Sequence, residues 1–261
     1  VYLLSQVITC LATLATFILH PFSVQVNNPQ SSSKEPEAII TDRPDFTESA
    51  VVIPFKSLQI EGGATYAPLG GMRSLSGPEM LLRFGAAKKF EWRLGLPDYH
   101  HAWFGGRTLS GFGDAYLGFK HQIGPLGGVD LAIIGAITAP SGGSHFTRGG
   151  WDPEVAIPFS KNIDQTWEIG GQVTLAFPTE SGRRLTVVTT TLTLGRDISR
   201  QWGVFFEYAG DFPNRGGPGS LFHTGFTFGP NIASQLDMHV AIGLNRNTPD
   251  YLIGVGFAVR R

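Results

Sequence analysis

From residue 57 onward the chain alternates. In the stretch Tyr251 to Val259, the residues Tyr251, Ile253, Val255, Phe257 and Val259 are large and apolar. Leu252, Gly254, Gly256 and Ala258, between them, are mostly small. Successive side chains of a strand point to opposite faces, so this pattern predicts a strand with one greasy face and one thin face. Its edges need partners, and we read it as the strand that closes a barrel against the first one. Residues 165–177 repeat the pattern. Trp167, Ile169, Val173, Leu175 and Phe177 share one face, and Glu168, Gln172 and Thr174 share the other. In 234–246, Leu236, Met238, Val240, Ile242 and Leu244 oppose Asp237, His239 and Asn245.

Turn residues divide the chain into about twelve such segments. After a first strand over 57–66, the spans are 79–86, 88–96, 112–123, 128–139, 153–159, 165–177, 184–196, 200–210, 220–229, 234–246 and 250–259. Short connections such as Ala87-Lys88 and Asp197-Ile198-Ser199 alternate with longer ones, among them 68–78, 97–111 and 140–152. Short turns at one end and long loops at the other are the pattern of bacterial outer-membrane barrels.

Alternation alone does not say which face is outside. A soluble β-sandwich would turn the apolar face inward, and composition argues against it. Charged residues are 16 % of the chain, against about 25 % in an ordinary soluble domain. Trp167 and Phe177 stand ten positions apart, which at ~3.3 Å per residue and ~40° of tilt spans about 25 Å, the height of an apolar membrane band. Trp92 and Trp202 fall at predicted periplasmic ends, and Tyr66, Tyr208 and Tyr251 at outer ends. In lipid every strand must be paired, so the sheet must close. The expected fold is all-β, a transmembrane antiparallel up-and-down β-barrel of about twelve strands over 51–261.

Two segments precede it. Residues 1–24 hold an apolar block from Val7 to Leu19 and read as a signal peptide, although no Lys or Arg precedes the block. An uncleaved membrane helix is the alternative. Residues 25–50 are a polar periplasmic segment, rich in Asn, Gln, Ser, Pro and Glu up to residue 40 and in charge after it. Cys10 is the single cysteine, so no disulfide framework and no cysteine metal site is expected. The net charge of −1 gives no argument for a nucleic-acid partner.

Thr41-Asp42-Arg43-Pro44-Asp45-Phe46-Thr47-Glu48-Ser49, followed by the strand Ser57 to Tyr66, resembles a family of bacterial outer-membrane proteins known as "meta-pathway of phenol degradation" proteins. Glu91 to Pro97 and Ser110 to Lys120 carry further matching pieces, and the resemblance runs from about Thr41 to the end. It implies an outer-membrane barrel with a transport role, embedded in outer-membrane lipid and delivered by the outer-membrane assembly machinery. The implied solutes are small, aromatic or otherwise hydrophobic compounds. No residue in the chain shows that preference by itself.

The thin faces supply a lumen list. Glu61, Glu91, Asp114, Asp130, Glu154, Glu168, Glu207 and Asp237 are its acids, Arg83, Arg93 and Lys120 its bases, and His239 is titratable. Such charges are costly against lipid and are expected to point inward. They form either a pairing network that stiffens the barrel, with Arg83 beside Glu91, or a polar lining with a mild cation bias. Twelve strands leave only a narrow bore. Asp42, Arg43, Asp45 and Glu48 are placed to fill it from the periplasmic side, unless the segment is an ordinary periplasmic tail.

Enzyme chemistry leaves little trace. There is no Gly-x-Ser-x-Gly elbow, phosphate-cradling loop or His-Glu-x-x-His helix. His100-His101 with His145 make a weak metal set, and Ser144-His145 lacks an acid placed by spacing. The expectation is a passive channel with no catalytic residue, cofactor or metal. A self-plugged structural barrel is the first alternative and a barrel hydrolase the second.

Overall fold

The computed structural model describes residues 38–261. The segment read as a signal peptide lies outside the described residues. In chain order the strands are β1 (Leu58–Leu69), β2 (Met72–Gly77), β3 (Leu81–Ala87), β4 (Phe90–Gly95), β5 (Tyr99–Phe104) and β6 (Arg107–Phe112). Next come β7 (Ala115–Gln122), β8 (Asp130–Ala139), β9 (Asp152–Asn162), β10 (Trp167–Ala176) and the short β11 (Thr179–Glu180) and β12 (Arg183–Arg184). The last are β13 (Val187–Asp197), β14 (Trp202–Pro213), β15 (Gly219–Asn231), β16 (Ser234–Gly243) and β17 (Tyr251–Arg260). Neighbours run antiparallel. β17 pairs with β1 from Gln59↔Arg260 to Tyr66↔Ile253, which closes the sheet.

Three staves of the barrel are broken. β2 resumes as β3 after Pro78-Glu79-Met80, β4 as β5 after Leu96-Pro97-Asp98, and β6 as β7 after Gly113-Asp114. Counting each broken stave once, and leaving aside the β11–β12 hairpin, gives twelve staves. Proline has no N–H to give a ladder, so a strand tends to break where it stands. Bonds across the breaks keep the backbone paired: Gly63 N–H donates to Pro78 O at 2.7 Å, Leu96 N–H to Met80 O at 2.9 Å and Gly113 N–H to Asp98 O at 2.8 Å.

The structure corrects two of the predicted long loops. Most of 68–78 and 97–111 is strand: β2, β5 and β6 extend the sheet past the barrel rim in two hairpins. Their turns are the pairs Gly70-Gly71 and Gly105-Gly106, all with φ between +56° and +81°. Two consecutive positive φ values make the tight turn that matches strand twist, and glycine adopts them at no steric cost. The segment Met72-Arg73-Ser74-Leu75-Ser76-Gly77 has no apolar face because it stands beyond the hydrocarbon, where none is required.

The molecule is apolar outside and charged inside. Met238 is 60 % exposed and Val255 53 %, while Arg83, Lys120, Glu61, Glu91 and His223 are wholly buried. A soluble fold has the opposite arrangement. Aromatic pairs mark both rims of the outer face. Trp202 and Phe228 lie 4.6 Å apart at the turn side, and Tyr66 and Tyr251 lie 6.3 Å apart at the loop side. The turn side also carries the C-terminus, where Leu58 N–H donates to Arg261 O.

Candidate functional site

The barrel is not empty. Residues 38–54, the inner segment, enter at the turn side, where Ile39 N–H donates to Ile232 O at 2.8 Å. The segment then runs into the interior and hydrogen-bonds to staves all round the circuit.

Asp42 is its first anchor. Its carboxylate accepts from Lys120 Nζ at 2.9 and 3.1 Å, pairs with Arg93, and lies 3.2 Å from Arg83. Ser49 N–H and Oγ also donate to it, at 2.8 and 2.7 Å, folding the segment into a loop around the carboxylate. The wall adds its own acids. Glu91 takes a forked pair from Arg83 at 2.8 and 3.0 Å, and Glu61 Oε1 accepts from Arg83 Nη1 at 2.9 Å. Glu48 meets Arg93 at 2.8 Å. Three bases thus face four acids, two from the wall (Glu61, Glu91) and two from the inner segment (Asp42, Glu48). Two-pronged Arg–carboxylate pairs fix geometry as well as charge. Without Asp42 and Glu48, three wall cations would share two wall carboxylates, and unpaired buried charge is costly.

Arg43 is held at the adjoining seam between β1 and β17. It pairs with Glu79 at 2.8 Å and with Asp237 at 3.4 Å. Its guanidinium lies over the thin face of β1 and β17: a Cβ added at Gly63 or Gly256 would come within 2.6 or 2.8 Å of Arg43 Cζ. The small residues of the last strand therefore make room for the inner segment.

A third anchor lies on β14 and β15. Glu207 accepts from Phe46 N–H at 2.9 Å, Thr47 N–H at 2.8 Å and Thr47 Oγ1 at 2.7 Å. It also meets His223 Nδ1 at 2.8 Å, and His223 Nε2 lies 2.9 Å from His239 Nδ1. The Phe46 ring packs on His223, centroids 4.5 Å apart. Farther along, Val52 N–H reaches Gln122 and Ile53 N–H reaches Glu91.

Among the described residues, two of the larger cavities lie on the wall that carries β8, β9, β10, β13 and β14. The turn-side cavity, about 450 Å³, is lined by Asp45, Asp130, Glu168, Thr193 and Asp197 among others. The loop-side cavity, about 470 Å³, is lined by Asp152, Glu154, Glu180, Thr189 and Asp211 among others. Between them β13 runs Thr189, Thr191, Thr193 on one face. The inner segment crosses at the middle rung: Thr47 Oγ1 and Thr191 Oγ1 are 2.6 Å apart, and Glu48 N–H donates to Gln172 at 3.0 Å.

Of the residues singled out from sequence, Glu61, Arg83, Glu91, Arg93 and Lys120 come together around Asp42. Glu207 and His239 join through His223, and Asp237 meets Arg43. Asp130, Glu154 and Glu168 line the cavities, as does Asp45. Asp114 stands apart from the lumen groups, in the break between β6 and β7, where it accepts N–H bonds from Gly142 at 2.8 Å and Arg148 at 2.9 Å. Burial pushes the Asp114 carboxyl up, but those N–H groups outweigh it and hold it below the usual carboxylate range. His100 stacks on Phe146 and His101 packs edge-on against Trp103, so the adjacent histidines serve different neighbours.

Sequence reasoning did not single out His223, Thr191 or Glu79, and it placed Gln172 on the polar face without giving it a role. Parity could have found the first, since Phe222 and Phe226 face out and His223 therefore faces in.

Solved structures share this architecture. An outer membrane channel from Pseudomonas putida F1 superposes with a TM-score of 0.60 at 11 % identity, covering 81 % of this chain and 98 % of that one. The NanC porin gives 0.54 at 8 % identity over 77 % and 98 %, and the KdgM porin 0.53 at 7 % over 78 % and 98 %. At such identities the likeness establishes the outer-membrane barrel fold. No curated protein matches in sequence. A family match covers residues 41–260, the inner segment as well as the barrel, and the chain belongs to the family described as "Putative MetA-pathway of phenol degradation".

Proposed function

We propose that this protein is a passive channel for small solutes in the bacterial outer membrane, with residues 41–53 as an internal plug that sets its bore. By this reading it is surrounded by outer-membrane lipid, inserted by the outer-membrane assembly machinery, and not an enzyme. One observation carries the proposal. Two cavities lie at opposite ends of the same wall, and at the level between them Thr47 meets Thr191 and Glu48 meets Gln172. The family description suggests aromatic solutes, and the threonine and carboxylate lining favours solutes that also carry polar groups.

The dense ion pairing of the inner segment favours a second reading, a permanently self-plugged barrel without transport. Planar-bilayer recording separates the two. The intact barrel is expected to conduct in small steps, and deletion of 41–49 to enlarge them. A folded deletion variant with unchanged steps overturns the plug, and silence from both proteins overturns the channel. Because the deletion also removes charge partners, a T47C/T191C pair provides a second test. Its oxidation should suppress conductance and reduction should restore it.

A further inference from the structure

The carboxylates of this barrel that lack a cation partner gather on one wall. The bases near the inner segment are all engaged: Arg83, Arg93 and Lys120 around Asp42, and Arg43 with Glu79 and Asp237. The bases near the cavities are engaged as well. Arg184 pairs with Asp152 and Arg148 lies 3.7 Å from Glu180; Arg196, in the lining of the turn-side cavity, sits over the Trp167 ring, 4.8 Å from its centroid, and keeps its charge against the several acids there. Several cavity acids have no such partner. Among the described residues no cation pairs with Asp130, Glu168 or Asp197 in the turn-side cavity, or with Glu154 or Asp211 in the loop-side one.

A second observation points the same way. Thr193 is 8 % exposed, shares the inward face of β13 with Thr191, and lines the turn-side cavity beside Glu168 and Gly195. Among the described residues its Oγ1 has no hydrogen-bond partner. A buried hydroxyl without a partner is costly, and a hydrated or amine-bearing cation passing the carboxylates would supply one.

Resting on the channel reading, we infer that the permeation path is cation-selective: small ammonium-bearing solutes and hydrated metal cations pass, and anions of equal size are held back. A narrow, low-dielectric passage with an excess of one sign of charge concentrates counter-ions and excludes co-ions. The selectivity belongs to the β8–β14 wall. The dense network around Asp42 sets the bore and contributes little, because its charges are already compensated.

The test is the reversal potential of the intact, refolded protein in a planar bilayer under a KCl gradient. We expect a potential on the potassium side, with a K⁺ to Cl⁻ permeability ratio of several-fold. The triple variant Asp130→Asn, Glu154→Gln, Glu168→Gln breaks no ion pair among the described residues, so it is expected to fold. Its ratio should fall toward unity while its conductance persists. A conducting protein that reverses at zero or on the chloride side overturns the inference and leaves the channel standing. So does an unchanged ratio in the triple variant. Failure of both the intact and the 41–49-deleted barrels to conduct removes the channel reading and this inference with it.

Discussion

Asp42 Oδ1 and Lys120 Nζ stand 2.9 Å apart inside the barrel, joining the inner segment to the stave that contains β7. Arg83 and Arg93 converge on the same carboxylate. Breaking a buried pair by removing one side costs far more than the pair contributes, since the survivor is left charged and dry. Asp42→Ala should therefore destabilise the refolded barrel by about 3–5 kcal/mol. Urea unfolding in detergent measures it. Adding Lys120→Met should recover part of the loss, and a strictly additive double variant would contradict the shared network.

Glu207 holds the inner segment by a different chemistry. It accepts three bonds from Phe46 and Thr47, and a fourth from His223 if Nδ1 carries the proton. Glu207→Gln keeps the shape but halves the acceptor capacity and removes the charge, so it should loosen 46–47 without opening the network at Asp42. The expected readout is noisier and larger conductance steps, with an unfolding midpoint shifted less than in Asp42→Ala.

Two glycines should respond oppositely to the same methyl group. At Gly256 an added Cβ meets the end of the flexible Arg43 side chain, which can swing away. At Gly85 it meets the Pro54 backbone, with the carbonyl carbon 2.9 Å away. Gly256→Ala is expected to fold with near-normal stability while losing the Arg43–Asp237 contact. Gly85→Ala should displace the chain near residue 54 and lower the yield of folded barrel. Comparing the heat-modifiable gel shifts of the two variants checks the contrast.

Parity made the barrel legible. A membrane demands one apolar face from every stave that crosses it, and Leu236, Met238, Val240 and Ile242 display that face without interruption. The demand ends at the rim. Tyr99-His100-His101-Ala102-Trp103-Phe104 is a strand with no alternation of apolar and polar residues, and it reads as loop. The contents of the lumen were legible only in kind. The charge of Asp42 and Arg43 was plain, but their partners lie as far away as Asp237 and no local pattern names them. The thin face at Gly254 and Gly256 was a visible clue to something packed against it, and its occupants are His239 and Arg43.

Asp114 predicts how the 140–151 loop responds to pH. Its carboxyl sits below the usual range of about 4, held down by the Gly142 and Arg148 N–H groups against the upward push of burial. A depressed carboxyl contributes stability above its unfolded value and loses it as pH falls through its folded one. The loop should therefore stay fastened through mild acid and release only well below the ordinary carboxylate range. Fluorescence of Trp151, which the loop carries, follows the release, and Asp114→Asn should free the loop at neutral pH.

The apolar outer face gives the last prediction. Met238 and Val255 pair across β16 and β17 and are among the most exposed apolar side chains of the barrel. In water such exposure would invite aggregation, whereas in lipid it is the solvated state. An arginine on a barrel's lipid face costs about 2–4 kcal/mol near the bilayer midplane and about 0–1 kcal/mol near its edges. Met238→Arg lies well inside the band and should show the large cost. Tyr251→Arg lies at the rim beside Tyr66 and should show the small one. Refolding into vesicles across a denaturant series measures both. Equal costs at the two positions would mean that the face is not graded by membrane depth.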